Sequence, residues 1–444
     1  MQSVRHLTTI MALSLAVTAS SAALAGPAGD SGAMDRPTLD RYYQGIASFK
    51  AGHLEPAIQA FSQVALSNPG DALVHLSLAN ALQEHGDVTN AIAEYRRAIA
   101  LRPYDAFAHE SLGLLLQGQG LLSDAIEQYE QAIKLRPDVP LLHLNLGIAQ
   151  RISGNKEQAI AELQQVLTSY PDQLRARSQL AAALQDQGQY QKAAEEYRRI
   201  LISQPDNYSL QYNLGSCLLA LKDYQGAAGA FQKAVQVDNN VPQGHAMLAT
   251  AQSKLGQYKE ATVQLKTAIS LKSDQADWHA QLGDVLTKQK DYAAAIDEYR
   301  NAQRLNPKDV APAYSLGYLL ELTGDLPNAA QAFQTVINLN SSDVNAHYNM
   351  GMIKRQLGDL GEAEAQFKQV LSFNPQDGGA MINLGRTYLL KGDLNQAVSY
   401  YRQGLSLDPS DAGAFLELGT ALTKLKDYTG ARSALESAQA LSPF

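Results

Sequence analysis

The 444-residue chain has one cysteine, one tryptophan and no excess of basic charge, with 36 Lys and Arg against 44 Asp and Glu for a net charge of −8. A lone cysteine excludes an internal disulfide framework and a Cys-based structural zinc site. The missing basic excess argues against a nucleic-acid binder, which needs a cationic stripe to neutralise phosphates. No run of 18 uninterrupted apolar residues is present, so no membrane-spanning helix is expected. Motifs of chemistry are missing too. There is no Gly-x-Gly-x-x-Gly, P-loop, His-Glu-x-x-His or Gly-x-Ser-x-Gly, and Gly118-Gln119-Gly120 reads as a helix-ending turn. The carboxylates are scattered rather than paired for acid–base work. Neither catalysis, a cofactor nor a bound metal is expected. What remains is a chain with 45% hydrophobic residues, too many for a disordered protein.

The first segment reads as an address. Arg5 and His6 precede an uncharged stretch from Leu7 to Ala19, and Ala23-Leu24-Ala25 supplies a small-x-small exit before Gly26-Pro27. These are the parts of a secretory signal peptide over residues 1–25, cleaved after Ala25. The apolar middle is too short to cross ~30 Å of hydrocarbon as a helix. Residues 26–37 then read as a flexible linker. The expected location is the periplasm or the exterior.

From Thr38 one pattern repeats. Gly45, Ala79, Gly113, Gly147, Ala181, Gly215, Ala249, Gly283, Gly317, Gly351, Gly385 and Gly419 are each 34 residues apart. Twelve residues after each stands an Ala, from Ala57 to Ala431, and sixteen after each an aromatic or Leu, such as Phe61, Tyr95, Phe333 and Tyr401. A Pro follows in most units, including Pro69, Pro103 and Pro137. Each unit reads as two helices. The first stops at a residue suited to the left-handed C-cap, Gly in nine units and Lys222, Lys290 or Lys426 in the others. Asp71, Asp105, Asp309, Asp343, Asp377 and Asp411 stand where the next first helix begins, suited to capping its free N–H groups. The small residue lets the two helices approach, and the aromatic fills the wedge beside it.

This pattern resembles the tetratricopeptide repeat family over residues 38–444. The resemblance implies an all-α fold, a right-handed α-solenoid superhelix of twelve 34-residue helix-turn-helix repeats, with the first helices lining an inner groove. Family arrays commonly end in an extra polar helix. Here the last expected helix, Thr429–Ala440, has no such cap, which leaves that end open to a homotypic or partner contact.

The resemblance also implies that the second, fifth, ninth, twelfth and thirteenth residues of each unit face the groove. In units one to four, large apolar residues fill 12 of those 20 positions: Leu39, Tyr42, Ile46, Phe49, Leu73, Leu76, Phe107, Leu114, Leu141, Leu144, Ile148 and Ile152. In units five to eight only Tyr212 and Leu219 qualify, and Arg175, Asp186, Lys254, Asp277, Asp284 and Lys288 are among the rest. Units nine to twelve return to nine, led by Tyr314, Tyr318, Tyr348, Met352 and Ile382. A strip of this kind marks a binding surface, with Tyr and Phe as anchors. Two family sub-patterns fit poorly. The carboxylate clamp of heat-shock chaperone cofactors needs Lys at the fifth position, where no unit has Lys or Arg. The asparagine ladder of the O-linked N-acetylglucosamine transferase superhelix is matched at the sixth position only by Asn145, Asn213, Asn349 and Asn383.

His75, His109, His143, His245, His279 and His347 occupy one repeat position. Helix neighbours lie ~8–10 Å apart, too far for shared metal coordination at ~2 Å, so a packed or hydrogen-bonded interface residue is expected. Cys217 stands where other units place small apolar residues, and a buried apolar role is expected for it. The resulting expectation is a non-enzymatic scaffold that binds a partner polypeptide in its groove. The rival reading is a structural component of an envelope export or polysaccharide-secretion assembly.

Overall fold

The computed structural model describes residues 34–441. The proposed signal segment, 1–25, and residues 26–33 of the proposed linker lie outside those residues. Among the described residues all regular structure is helical, in 24 helices of 13–15 residues. They alternate as an A helix and a B helix in each of twelve repeats. Repeat 2 is typical, with its A helix at Ala72–His85 and its B helix at Val88–Leu101. The first A helix, Arg36–Lys50, starts two residues ahead of the boundary expected at Thr38. Asp35 accounts for that shift: its carboxylate accepts from the Thr38 N–H, and Pro37 stands in the first turn.

The described residues form two compact units, one up to Leu221 and one from Lys222. The first holds repeats 1–5 and the A helix Tyr208–Ala220. The second holds the B helix Tyr224–Val237 and repeats 7–12. Within each unit every A helix packs on its own B helix, every B helix packs on the next A helix, and several successive A helices also touch. That neighbour-only packing is the arrangement of a solenoid.

The closest approach is at the small residue. A Cβ placed on Gly113 would sit 2.8 Å from the Tyr129 ring, and one on Gly317 would sit 2.9 Å from the Phe333 ring. Both rings are fully buried. Each buried aromatic of this kind contributes roughly 2–3 kcal/mol from its apolar area. The turn between A and B helices has positive φ in all twelve repeats, 75° to 92° at the nine glycines and 62° to 64° at Lys222, Lys290 and Lys426. The three lysines therefore hold a conformation that costs an L-residue about 1–2 kcal/mol.

All six expected Asp caps accept an N–H of the helix they precede. A second set of caps was not anticipated. Asp87, Asp223, Asp291, Asp325, Asp359 and Asp393 cap the B helices in the same way. They follow the left-handed residue directly, so one short turn ends a helix and starts the next.

Candidate protein-interaction face

The A helices carry the residues that the sequence pattern assigns to a groove, and the structure divides that set. Tyr42, Ile46, Phe49, Leu76, Leu144 and Ile148 are buried. Leu39, Leu73, Phe107, Tyr314, Tyr348 and Met352 are half-buried. Leu114, Leu141, Ile152 and Tyr318 are exposed, Ile152 at 52% and Tyr318 at 56%. The fifth position explains much of this division: in repeats 1, 2 and 4 its side chain turns into the contact between successive repeats. The exposed strip is narrower than the pattern implies.

Three part-exposed or exposed residues of the first unit keep open surroundings. A cleft of about 670 Å³ includes Phe107 with Leu101, Pro103 and Tyr104, and one of about 610 Å³ includes Leu141 with Pro140, Tyr170 and Pro171. Both lie where the loop before an A helix meets its second residue. Ile152 stands one residue from the end of Pro140–Ser153. In the second unit the exposed apolar residues at groove positions are Tyr318, Leu322, Leu390 and Leu416. Of the nine large residues expected there, only Ile382 is buried.

The polar residues of this face are largely occupied by one another. The fifth residue of one repeat meets the sixth of the next. Tyr42 and Ser77 pair through their hydroxyls at 2.9 Å, and Asn145 donates to Glu110 Oε1 at 3.4 Å. Asn349 donates to the Tyr314 hydroxyl at 3.0 Å, and Asn383 to the Tyr348 hydroxyl at 2.7 Å. Three of the four asparagines that match a family ladder thus have their amide N–H groups engaged within the solenoid. The buried wedge tyrosines also reach this face: Tyr129 donates to Gln117 and Tyr299 to Asp284. Burial pushes the Tyr299 phenol up to about 12, so it stays a donor.

The histidines behave as interface residues. His75 Nδ1 lies 2.6 Å from Glu94 Oε2 on the B helix, and its Nε2 lies 3.0 Å from the Pro69 carbonyl before its own A helix. His143 and His279 repeat this with Glu162 and Glu298, and His109, His245 and His347 repeat it with Gln128, Gln264 and Gln366. In repeat 5, Arg177 takes the same place between Glu196 and the Pro171 carbonyl. Each ring ties a helix pair to the preceding loop. The partner was visible in the sequence as a Glu or Gln 19 residues after every one of these histidines. Among the described residues no cluster of His, Cys, Asp and Glu could hold a metal ion. Cys217 is fully buried, and that burial pushes its thiol up to about 11, against any nucleophilic role. Trp278 is half-buried against the core of the second unit.

The second unit carries a denser charged network. Arg386 donates to Glu417 at 2.8 Å and to Asp411 at 2.9 Å. Glu364 accepts from Lys368 and the Tyr388 hydroxyl, both at 2.6 Å, and from Lys391. These bonds hold the Glu364 carboxyl down at about 2, and Tyr388 stacks on Tyr400 at 5.4 Å. No described helix is long and apolar enough to cross a membrane.

Comparison with known proteins agrees with this architecture. Family profiles described as tetratricopeptide repeat match residues 42–106, 111–173, 178–242 and 382–444, with further matches at 218–284 and 342–410 and a TPR repeat match at 283–324. No curated protein matches the chain. Among solved structures, YrrB, described as a TPR protein with an unusual peptide-binding site, is 26% identical. The match covers 45% of this chain and all of YrrB, with a TM-score of 0.40. The C-terminal part of a TPR repeat-containing protein from Cytophaga hutchinsonii is 18% identical over 54% of this chain and 99% of its own, TM-score 0.48. MamA from Desulfovibrio magneticus RS-1 is 20% identical over 37% of this chain and 94% of its own, TM-score 0.36. The family profiles span well over half of the sequence and fall on the helix pairs described above, so the chain belongs to the tetratricopeptide repeat family.

Proposed function

We propose that the protein is a non-catalytic scaffold of the cell envelope or exterior that binds a partner polypeptide along its A-helix face. The observation that carries this reading is the set of large apolar side chains left open at regular A-helix positions: Leu114, Leu141 and Ile152 in one unit, Tyr318, Leu322 and Leu390 in the other. Apolar residues repeated in register along packed helices suit an extended segment or an amphipathic helix, whose side chains recur at matching intervals. Residues of the family's usual peptide-backbone capture are engaged internally, so affinity rests on side-chain pockets. Delivery by residues 1–25 gives the location. N-terminal sequencing of the secreted product tests it, with Gly26 as the first residue.

The binding test compares capture of envelope proteins by the wild-type chain with capture by Leu114→Asp/Ile152→Asp and by Tyr318→Asp. These residues are exposed, so the variants keep the fold. Substitution of Leu76 or Leu144, which are buried, would report folding instead. Loss of the same partner from the exposed-site variants supports the reading. Equal capture by all of them sinks it.

A further inference from the structure

In the second unit one partly buried cation of the A-helix face lacks a counter-ion among the described residues. Arg355 lies in the last turn of the A helix Val344–Gln356 and is only partly exposed. Among the described residues its guanidinium makes no ion pair. It donates to Met352 Sδ at 3.5 Å, and its buried Nε has no hydrogen-bond partner.

Repeat 4 shows that position with a counter-ion, although the Nε of its arginine is equally without a partner. Arg151 holds the same register and donates to Asp186, 35 residues on, at 2.8 Å. The residue 35 beyond Arg355 is Leu390, which is 61% exposed. Nearby charges do not substitute. Glu417 favours the Arg355 charge but already accepts from Arg386 and, at 3.1 Å, from Tyr401. Burial pushes the carboxyl of Glu321, one repeat earlier in the same register, upward with no cation to offset it. Burial and the neighbouring Arg386 both push Arg355 below the usual guanidinium range. A partly desolvated cation beside another cation is a receptor for an anion. Tyr348 and Met352 neighbour it, and exposed Leu390 holds the register that Asp186 holds beside Arg151, which suits a side chain flanked by apolar neighbours.

We infer that Arg355 is an anion anchor that receives a carboxylate of the bound polypeptide between the A helices of repeats 10 and 11. This rests on the scaffold reading above. It differs from the family's carboxylate clamp, which uses the fifth position; Arg355 holds the twelfth. The carboxylate comes from an Asp or Glu side chain or from a chain end, and bidentate pairing with the planar guanidinium suits either.

Random 12-residue peptides, N-acetylated and prepared both as C-terminal amides and as free acids, are arrayed and probed with the full chain and three variants. The wild type is expected to enrich peptides in which a carboxylate adjoins apolar residues. Arg355→Gln should bind apolar peptides without that enrichment. Leu390→Asp should behave the same way, because it supplies the internal partner that Asp186 gives Arg151. Arg151→Gln should keep the enrichment. For the best amidated peptide, Glu→Gln in the peptide should weaken wild-type binding about tenfold and leave Arg355→Gln binding unchanged. Enrichment of acidic residues among the amides assigns the anchor to a side chain, and enrichment confined to free acids assigns it to a chain end. Equal acid preference in wild type and Arg355→Gln, or apolar selection with no acid preference in either, overturns the anchor and leaves the scaffold reading intact. Failure of every peptide to bind overturns both.

Discussion

Repeats 1–4 and repeats 9–12 share the same wedge of small residue, alanine and ring or leucine, yet they use the A-helix face differently. In the first region six of twelve large groove-position residues are buried in the solenoid, including Phe49 and Leu144. In the second, one of nine is buried, and tyrosine hydroxyls at the fifth position receive asparagine N–H bonds from the following repeat. Both regions place polar pairs at this contact, Tyr42–Ser77 and Glu110–Asn145 in the first, and the first adds the buried fifth-position side chains of Leu76 and Leu144. In the second the fifth-position tyrosines stay half-buried, and large side chains at the ninth and thirteenth positions, such as Tyr318 and Leu390, stand exposed. The region with the weaker apolar signal in the sequence therefore presents more of it to solvent.

The strongest way to break this contrast is to strike what the regions share. Phe61→Ala in the first and Phe333→Ala in the second each remove a fully buried ring from the wedge. Each should cost about 3–5 kcal/mol, with destabilisation of similar size in both. Urea unfolding followed by circular dichroism checks it. A twofold or larger difference would mean that the face, and not the wedge, sets local stability.

The histidine bridge comes next. His143→Ala and His347→Ala each leave a side-chain acceptor and a loop carbonyl without their ring partner, for about 1–3 kcal/mol. Gln at either position should recover part of the loss, since Gln211 already donates to the Pro205 carbonyl at 3.1 Å in repeat 6. Equal losses in the two units show that the bridge belongs to the shared frame.

The fifth-position polar pair sharpens the contrast directly. Tyr348→Phe removes the hydroxyl that accepts from Asn383, for about 0.5–1.5 kcal/mol. At the matching position of repeat 4, Leu144 packs without any hydroxyl, so Leu144→Met, which keeps volume, should cost less. Thermal melts of both variants decide the order. Lys290→Gly should then stabilise by about 1 kcal/mol, because the residue holds φ 64° without needing a side chain there.

How much of this was readable in the sequence follows from spacing. The wedge, the A-helix caps and the left-handed turns sit at fixed offsets within one repeat, so a period of 34 exposes them. The B-helix caps at Asp87 or Asp325 were equally regular but were hidden behind the more conspicuous glycine before each. Burial of Tyr42, Leu76 and Leu144 could not be read in the same way. Whether a fifth-position side chain faces a partner or the next repeat depends on the residue 35 positions on, across a contact that no local pattern records. The role of Arg355 is hidden for the same reason, since it lies in Leu390 standing where Arg151 has Asp186. The division of the described residues at Leu221 left no mark in a pattern that runs unbroken through repeat 6.

The smallest expected effect is electrostatic and belongs to the second region alone. The folded-state carboxyl of Glu364 is held at about 2, below its ordinary 4.5, by hydrogen bonds from Lys368, Lys391 and Tyr388. A carboxyl held down in the folded state adds stability above its unfolded value and loses it as pH falls through the folded one. The contribution is therefore complete above about pH 4.5 and gone near pH 2. Glu364 lies near the surface, so solvent screening limits the contribution to about 1 kcal/mol or less. Glu364→Gln should lower the melting temperature at pH 6 and match the wild type near pH 2, and 0.5 M salt should shrink the pH 6 gap. A gap that persists at pH 2 would assign the loss to packing of Tyr388 against Tyr400 instead of to charge. The contact between repeats 10 and 11 would then rest on the stacked rings and the Tyr348–Asn383 pair instead of on charge, and the contrast between the two regions would weaken where its charges are densest.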